Sequence, residues 1–210
     1  TLKIVSLNCS GLKAHFQDIQ TDDRLQKANI INPVECSLTE EDNNLDFILE
    51  GYDQQFIRIG PGKGIATYFN SDILKPAEEV RKDKFQITKF KHKAMDIVNL
   101  YRSQTGNSVE LLEKLKNMIE PGRITIITGD FNICYMENFS NRMTQGLLSM
   151  GFDQLVHEPT HIRGRHIDQV YFLDPSKRLK PIVDRYSPYY SDHDGICITI
   201  PELLPQNKEQ

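Results

Sequence analysis

Ile124-Thr-Ile-Ile-Thr-Gly-Asp-Phe-Asn132 is the stretch on which the reading of this chain turns. Its β-branched run from Ile124 to Thr128 fits a buried strand, because such side chains are stiff at χ1 and pack well on a pleated surface. Gly129 closes the run, and Asp130 and Asn132 follow two residues apart, on one face if the strand continues. An acid beside an amide suits work on a phosphate: the carboxylate orients or deprotonates water and the amide donates to a nonbridging oxygen. Read alone, Gly-Asp and Asn are better explained as an ordinary turn.

Further short β-branched runs lie on either side: Leu2 to Leu7, Ile65 to Phe69, Ala94 to Tyr101, Ile167 to Leu173 and Ile196 to Ile200, with a strand-like Ala28 to Ile31. Between them, Ser108 to Glu120 carries Val109, Leu112, Leu115 and Ile119 at helical spacing, with Ser108 as cap and Pro121-Gly122 as stop. Asn141 to Met150 is a second helical pattern, ending at Gly151. Strands alternating with helices predict layered α/β or α+β packing. Asn8, Tyr101 with Arg102, Asp130 with Asn132, Asp168, and Asp192 with His193 each sit where an apolar run ends or begins, and polar side chains at strand ends converge on a common crevice.

The chain has 210 residues, 39% of them hydrophobic, which is enough for one domain with a sizeable core. We expect that domain over 1–204, followed by a polar tail at 205–210. A net charge of -4 argues against wrapping long nucleic acid, yet allows a grip on a few nucleotides through a local basic strip. Arg81-Lys82-Asp83-Lys84 with Lys89, Lys91 and Lys93 is one candidate strip, against a solvated edge. The Thr160-His-Ile-Arg-Gly-Arg165 loop is the better placed, because it runs directly into Asp168. Cys9, Cys36, Cys134 and Cys197 form no C-x-x-C pair, so reduced, buried thiols are expected rather than a zinc site or a disulfide scaffold. No run approaches the roughly 18 apolar residues of a membrane span, and Thr1 does not open a signal peptide. An intracellular, nuclear or otherwise, location is the expectation, with no membrane partner. The first residue is not Met, which fits excision from a longer chain.

Tyr190-Ser-Asp-His-Asp-Gly195 places an acid beside an imidazole able to change charge near neutral pH. Neighbours on a strand point apart, so Asp168 is the better partner for His193. In isolation the segment reads more readily as a solvated loop, and Glu35, a hard oxygen donor suited to Mg2+, is one acid of 29.

Taken jointly, Leu-Asn-x-x-Gly-Leu at 7–12, Asn-Leu-Tyr-Arg at 99–102, Gly-Asp-Phe-Asn at 129–132, His-Ile-Asp at 166–168 and Ser-Asp-His at 191–193 resemble the endonuclease/exonuclease/phosphatase superfamily. The likeness is nearest to the apurinic/apyrimidinic-like endonuclease domains of non-LTR retrotransposons. It implies a four-layered α/β sandwich of two packed sheets flanked by helices. It also implies DNA nicking with Mg2+, or Mn2+, to leave 3′-hydroxyl and 5′-phosphate ends. On that resemblance Glu35 binds metal, with Asn8 as ligand or orienting amide and Asp192 on the metal side. Asp130 activates water or protonates the leaving oxygen, Asn132 binds phosphate, Asp168 pairs with the imidazole of His193, and Tyr101 donates to the scissile phosphate. Arg102, Ser191, Thr160, Arg163 and Arg165 are expected substrate contacts. Reverse transcriptase or helicase domains are expected in a parent chain, and a monomer for the isolated domain.

Two positions depart from the family pattern. Asn32-Pro-Val-Glu-Cys-Ser37 replaces the usual Leu-Gln-Glu-Thr, and Pro33 removes a strand hydrogen bond just before Glu35. Ser10 stands where apurinic/apyrimidinic endonucleases carry Asp, which argues against a dedicated repair enzyme. A phosphoesterase acting on a non-DNA phosphate and a weakened or non-cutting binding domain remain alternatives.

Overall fold

The computed structural model describes residues 1–93, 95–135 and 141–201; Ala94, expected to open a strand, and the polar tail expected at 205–210 lie outside them. In chain order the elements are β1 (Leu2–Asn8), α1 (Leu12–Thr21), β2 (Ile30–Val34), a 3-10 turn (Asn44–Phe47), β3 (Asp53–Ile57), β4 (Ile65–Phe69), β5 (Lys75–Arg81), β6 (Phe85–His92) and β7 (Met95–Arg102). There follow α2 (Ser108–Met118), β8 (Ile124–Asp130), α3 (Arg142–Ser149), β9 (Asp153–Gln154), β10 (Asp168–Leu173), β11 (Ile182–Tyr186) and β12 (Gly195–Ile200). They form two six-stranded mixed sheets, ordered β11-β12-β1-β2-β4-β3 and β5-β6-β7-β8-β10-β9.

Alternation along the central strands builds four layers. Ile4, Ile30, Ile97, Ile126, Val170 and Ile198 meet between the sheets. Their neighbours point the other way: Val5, Leu7 and Ile31 pack beneath α1, while Val98, Leu100 and Ile127 pack beneath α2 and α3. The α/β sandwich expected from the resemblance is therefore the fold. The four cysteines are free thiols, with Cys197 half-buried and the others buried.

In α2 the cap is Asn107, whose side chain accepts from the backbone of Val109 and Glu110, rather than the expected Ser108. The buried face is Leu111, Leu112, Leu115 and Met118, and Val109 is exposed. The helix is thus turned from the expected face, because Leu111 and Met118 join Leu115 at a spacing that excludes Val109. The second helical pattern is α3, Arg142–Ser149, capped by Asn141, whose side chain accepts from the backbone of Met143.

Three rows across the second sheet show why the site lies where it does. Phe172, Ile126, Ile97 and Phe90 sit side by side in the apolar core. One step on are Val170, Thr128, Asn99 and Thr88, where the inner face turns polar although fully buried. One step further are Asp168, Asp130, Tyr101 and Gln86. In the first sheet β1 repeats the gradient, from Ile4 through Ser6 to Asn8, while its partner β2 turns polar at Asn32 and sets the buried Val34 beside Asn8.

Candidate active site at the joined ends of the two sheets

Asn8, at the end of β1, bridges the sheets. Its side-chain nitrogen donates to Glu35 Oε2 at 2.6 Å and to Asp130 Oδ2 at 2.9 Å. Its Oδ1 accepts from the backbone of Ser10 at 3.1 Å. Its donor nitrogen thus faces both carboxylates.

Pro33 does not displace Glu35. The pairing of β2 with β1 runs through Pro33 opposite Leu7. The antiparallel ladder with β4 pairs Ile31 with Tyr68 and then Val34 with Ile65, passing over Asn32 and Pro33. The missing N–H thus falls in a gap of that ladder. Beyond Val34 the backbone turns left-handed at Glu35, with φ 56°. Glu35 O accepts from Gly11 at 3.0 Å and Cys36 O from Leu12 at 2.9 Å, so the turn is fastened to the loop that follows Asn8.

Asp130 ends β8 and is 1% exposed. Its strand does not continue as expected: Asn132 has φ 49° and its backbone N–H donates to Asp130 Oδ1 at 2.9 Å. A turn and a catalytic pair are therefore compatible in one Gly-Asp-Phe-Asn segment. Asn132 still lines the cleft, its amide donating to Arg102 O at 2.7 Å. Burial first, then the Asp168 carboxylate, push Asp130 up to about 7, against the pull of His193 and the hydrogen bonds from Asn8 and Asn132.

His193 Nδ1 lies 2.8 Å from Asp168 Oδ2, the pairing expected from strand geometry. That oxygen also accepts from Thr160 Oγ1 at 2.6 Å. His193 Nε2 faces Asp130 Oδ2 at 4.0 Å. Burial works against a charged imidazole, yet the hydrogen bond and charge of Asp168, with Asp130 and Asp192 beyond, outweigh it and hold His193 at about 9. Burial, then Glu35 and Asp130, push the Tyr101 hydroxyl up, so it stays protonated and able to donate.

A polar cleft of about 430 Å³ opens over this row, lined by Glu35, Tyr101, Asp130, Asn132, Asp192 and His193, and by Ser10, Gln104, His161, Arg163, Arg165 and Ile167. The expected contacts Arg163 and Arg165 reach it. Arg102, Thr160 and Ser191 do not. The buried Arg102 guanidinium donates to the carbonyls of Gly106, Phe131 and Asn132. Thr160 is spent on Asp168, and Ser191 Oγ donates to Asn8 O at 2.6 Å. All three hold the site from behind. The basic run at 81–93 also divides, because Lys89 is buried against Met118 O and Glu120, and Lys91 pairs with Glu120.

Gln104 is a lining residue that the sequence did not mark, and His161 was marked only as part of the basic loop. No spacing marks Gln104, which reaches the cleft from the loop after β7. His161 sits in the loop expected to overhang the site, and its closeness to Asp192 gives it away only in three dimensions.

No family model matches the chain, and no curated protein matches it. Solved structures do. An AP endonuclease from Archaeoglobus fulgidus superposes with TM-score 0.73 at 16% identity, over 95% of this chain and 99% of that one. The endonuclease domain of TRAS1, a telomere-specific non-LTR retrotransposon, superposes with TM-score 0.68 at 16% identity, over 94% and 96%. An endonuclease/exonuclease/phosphatase family protein from Bacteroides thetaiotaomicron gives TM-score 0.64 at 17% identity, over 95% and 94%. The chain has the fold of the endonuclease/exonuclease/phosphatase proteins.

Proposed function

We propose that this chain is a divalent-cation-dependent phosphodiesterase that nicks DNA, using Mg2+ or Mn2+, and leaves 3′-hydroxyl and 5′-phosphate ends. The observation that carries the reading is the buried Asp130 carboxylate, held between Asn8 and the Asp168-paired imidazole of His193 at the floor of a polar cleft. Asp130, Glu35, Asp168 and Asp192 gather around one imidazole, an excess of negative charge that fits a cation better than it fits an empty cleft. Ligand atoms of Glu35, Asp130 and His193 lie within 4.8 Å of one another. Glu35 would hold the ion, with Asp130 in reach and Asp192 on the metal side of the same cleft. When bound, it supplies Lewis-acid neutralisation of charge developing on the phosphate.

In this reading Asp130 orients the attacking water and accepts its proton. The charged His193, fixed by Asp168, stabilises the nonbridging oxygens, joined by the Tyr101 hydroxyl. Asn132 holds the phosphate, and Arg163 and Arg165 hold flanking ones. A non-cutting domain, suggested by Pro33, is disfavoured because the Glu35 carboxylate still meets Asn8 at 2.6 Å. The likeness to TRAS1 supports a finer reading as the target-nicking domain of a retrotransposon-like element, whose 3′-hydroxyl primes reverse transcription. Treating nicked plasmid with DNA ligase tests the end chemistry. Direct sealing is expected, and nicks that seal only after end repair contradict it.

A further inference from the structure

We propose that His161 is a positioning residue that fixes the Asp192 carboxylate for the divalent cation; the inference rests on the cation-dependent reading above. His161 sits in a tight turn closed by Gly164 N–H on His161 O at 2.8 Å, with Gly164 at φ +77°. Inside that turn the backbone N–H of Arg163 donates to His161 Nδ1 at 3.2 Å. A backbone amide only donates, so Nδ1 presents its lone pair and the ring proton sits on Nε2. Nε2 lies 3.1 Å from Asp192 Oδ2 and therefore donates to it.

The same turn grips Asp192 a second time, through Ile162 N–H on Asp192 O at 2.8 Å. Asp192 needs such a hold, because its side chain is 52% exposed, whereas that of His161 is 13% exposed. With Oδ2 engaged, Oδ1 is left 3.9 Å from His193 Nε2 and 3.5 Å from Ser10 Oγ, on the cleft. His161 also packs edge-on against His193, with ring centroids 4.8 Å apart.

His161, Asp192 and His193 have ligand atoms within 4.8 Å of one another, which resembles a second metal cluster. The proton on Nε2 argues otherwise, since a ligating nitrogen must offer its lone pair. His161 instead acts through Asp192, as a hydrogen-bonded partner acts through the group that meets an ion.

Two near-isosteric variants separate this role from simple support of the loop. His161→Gln carries an amide to the Nε2 position and keeps the donor to Asp192. His161→Asn keeps an acceptor for Arg163 N–H but falls short of Asp192. Mn2+ titrated calorimetrically into the substrate-free full chain reads the effect without any turnover. His161→Asn should weaken Mn2+ binding about tenfold, while His161→Gln stays within about threefold of the parent. Asp192→Asn should weaken it similarly, and adding His161→Asn to that variant should change nothing more. Equal weakening by Gln and Asn, no weakening by either, or full additivity with Asp192→Asn overturns the proposal. A parent chain that binds no Mn2+ overturns it together with the cation reading. If the Mn2+ affinities separate as expected but the parent nicks no DNA, the positioning role stands and the hydrolytic reading falls.

Discussion

At Asp130 the fold and the chemistry pull in opposite directions. Its folded pKa, about 7, lies above the usual 3.8, so the fold favours the protonated form. The corresponding stability is present at acid pH and is lost as pH rises from about 4 to about 7. His193, held at about 9 against a usual 6.5, contributes stability that is present below about 6.5 and lost as pH rises through about 9. A cation that replaces the proton among the carboxylates should offset the cost at Asp130. We therefore expect Mg2+ to raise Tm more at about pH 8 than at about pH 5.5, and equal shifts in a thermal melt contradict this. The kcat/KM profile should fall towards 9 as His193 loses its charge, and its acid limb, set by Asp130, should move to lower pH as Mg2+ is raised, because the cation competes with the proton there. An acid limb that does not move with Mg2+, or no fall towards 9, counts against the role concerned. The Asp168–His193 pair was legible in the sequence, although not for the strand-geometry reason: Asp192 and His193 precede β12 and do not point apart, since Asp192 Oδ1 lies 3.9 Å from His193 Nε2. The inward duties of Arg102, Thr160 and Ser191 were not. Arginine and hydroxyl side chains serve substrates and backbone carbonyls alike, and only strand register decides which.

Among the elements, β8 shows why glycine precedes Asp130. A Cβ on Gly129 would stand 1.8 Å from Leu100 O on the neighbouring β7, and φ is +145°. Gly129→Ala should therefore destabilise the fold by about 3 kcal/mol or more, read from urea unfolding. A loss below about 0.5 kcal/mol would mean that β7 and β8 do not approach so closely. Most central strands were readable because their apolar runs are buried on both faces, as in Ile65–Phe69; the interior strand β6 was not, because Gln86, Thr88 and Lys89 interrupt its apolar residues although all three are buried. The edge strand β5 was not, since Lys75–Arg81 is almost wholly exposed and polar. α1 also escaped notice: it buries only Leu12 and Ile19, and no side chain caps its start.

On the scale of the whole molecule, two sheets carry the same gradient from apolar core to polar rim, and the site forms where the rims meet. That convergence was legible from polar residues at strand ends, whereas the cleft walls contributed by loops, such as Gln104, were not. Arg163 and Arg165 stand on one wall of a chain with net charge -4, so they should supply much of the attraction for phosphates. Replacing both by Ala should weaken DNA binding and lower the slope of log K against log salt by about two. An unchanged slope places the backbone contacts elsewhere. The central claim, cation-dependent hydrolysis at Asp130, is tested most directly by the rate at which supercoiled plasmid is nicked. The parent chain should nick in Mg2+ and not in EDTA, and Asp130→Ala should be slower by roughly 10²–10⁴-fold while still binding DNA. Nicking that survives either EDTA or Asp130→Ala contradicts the account.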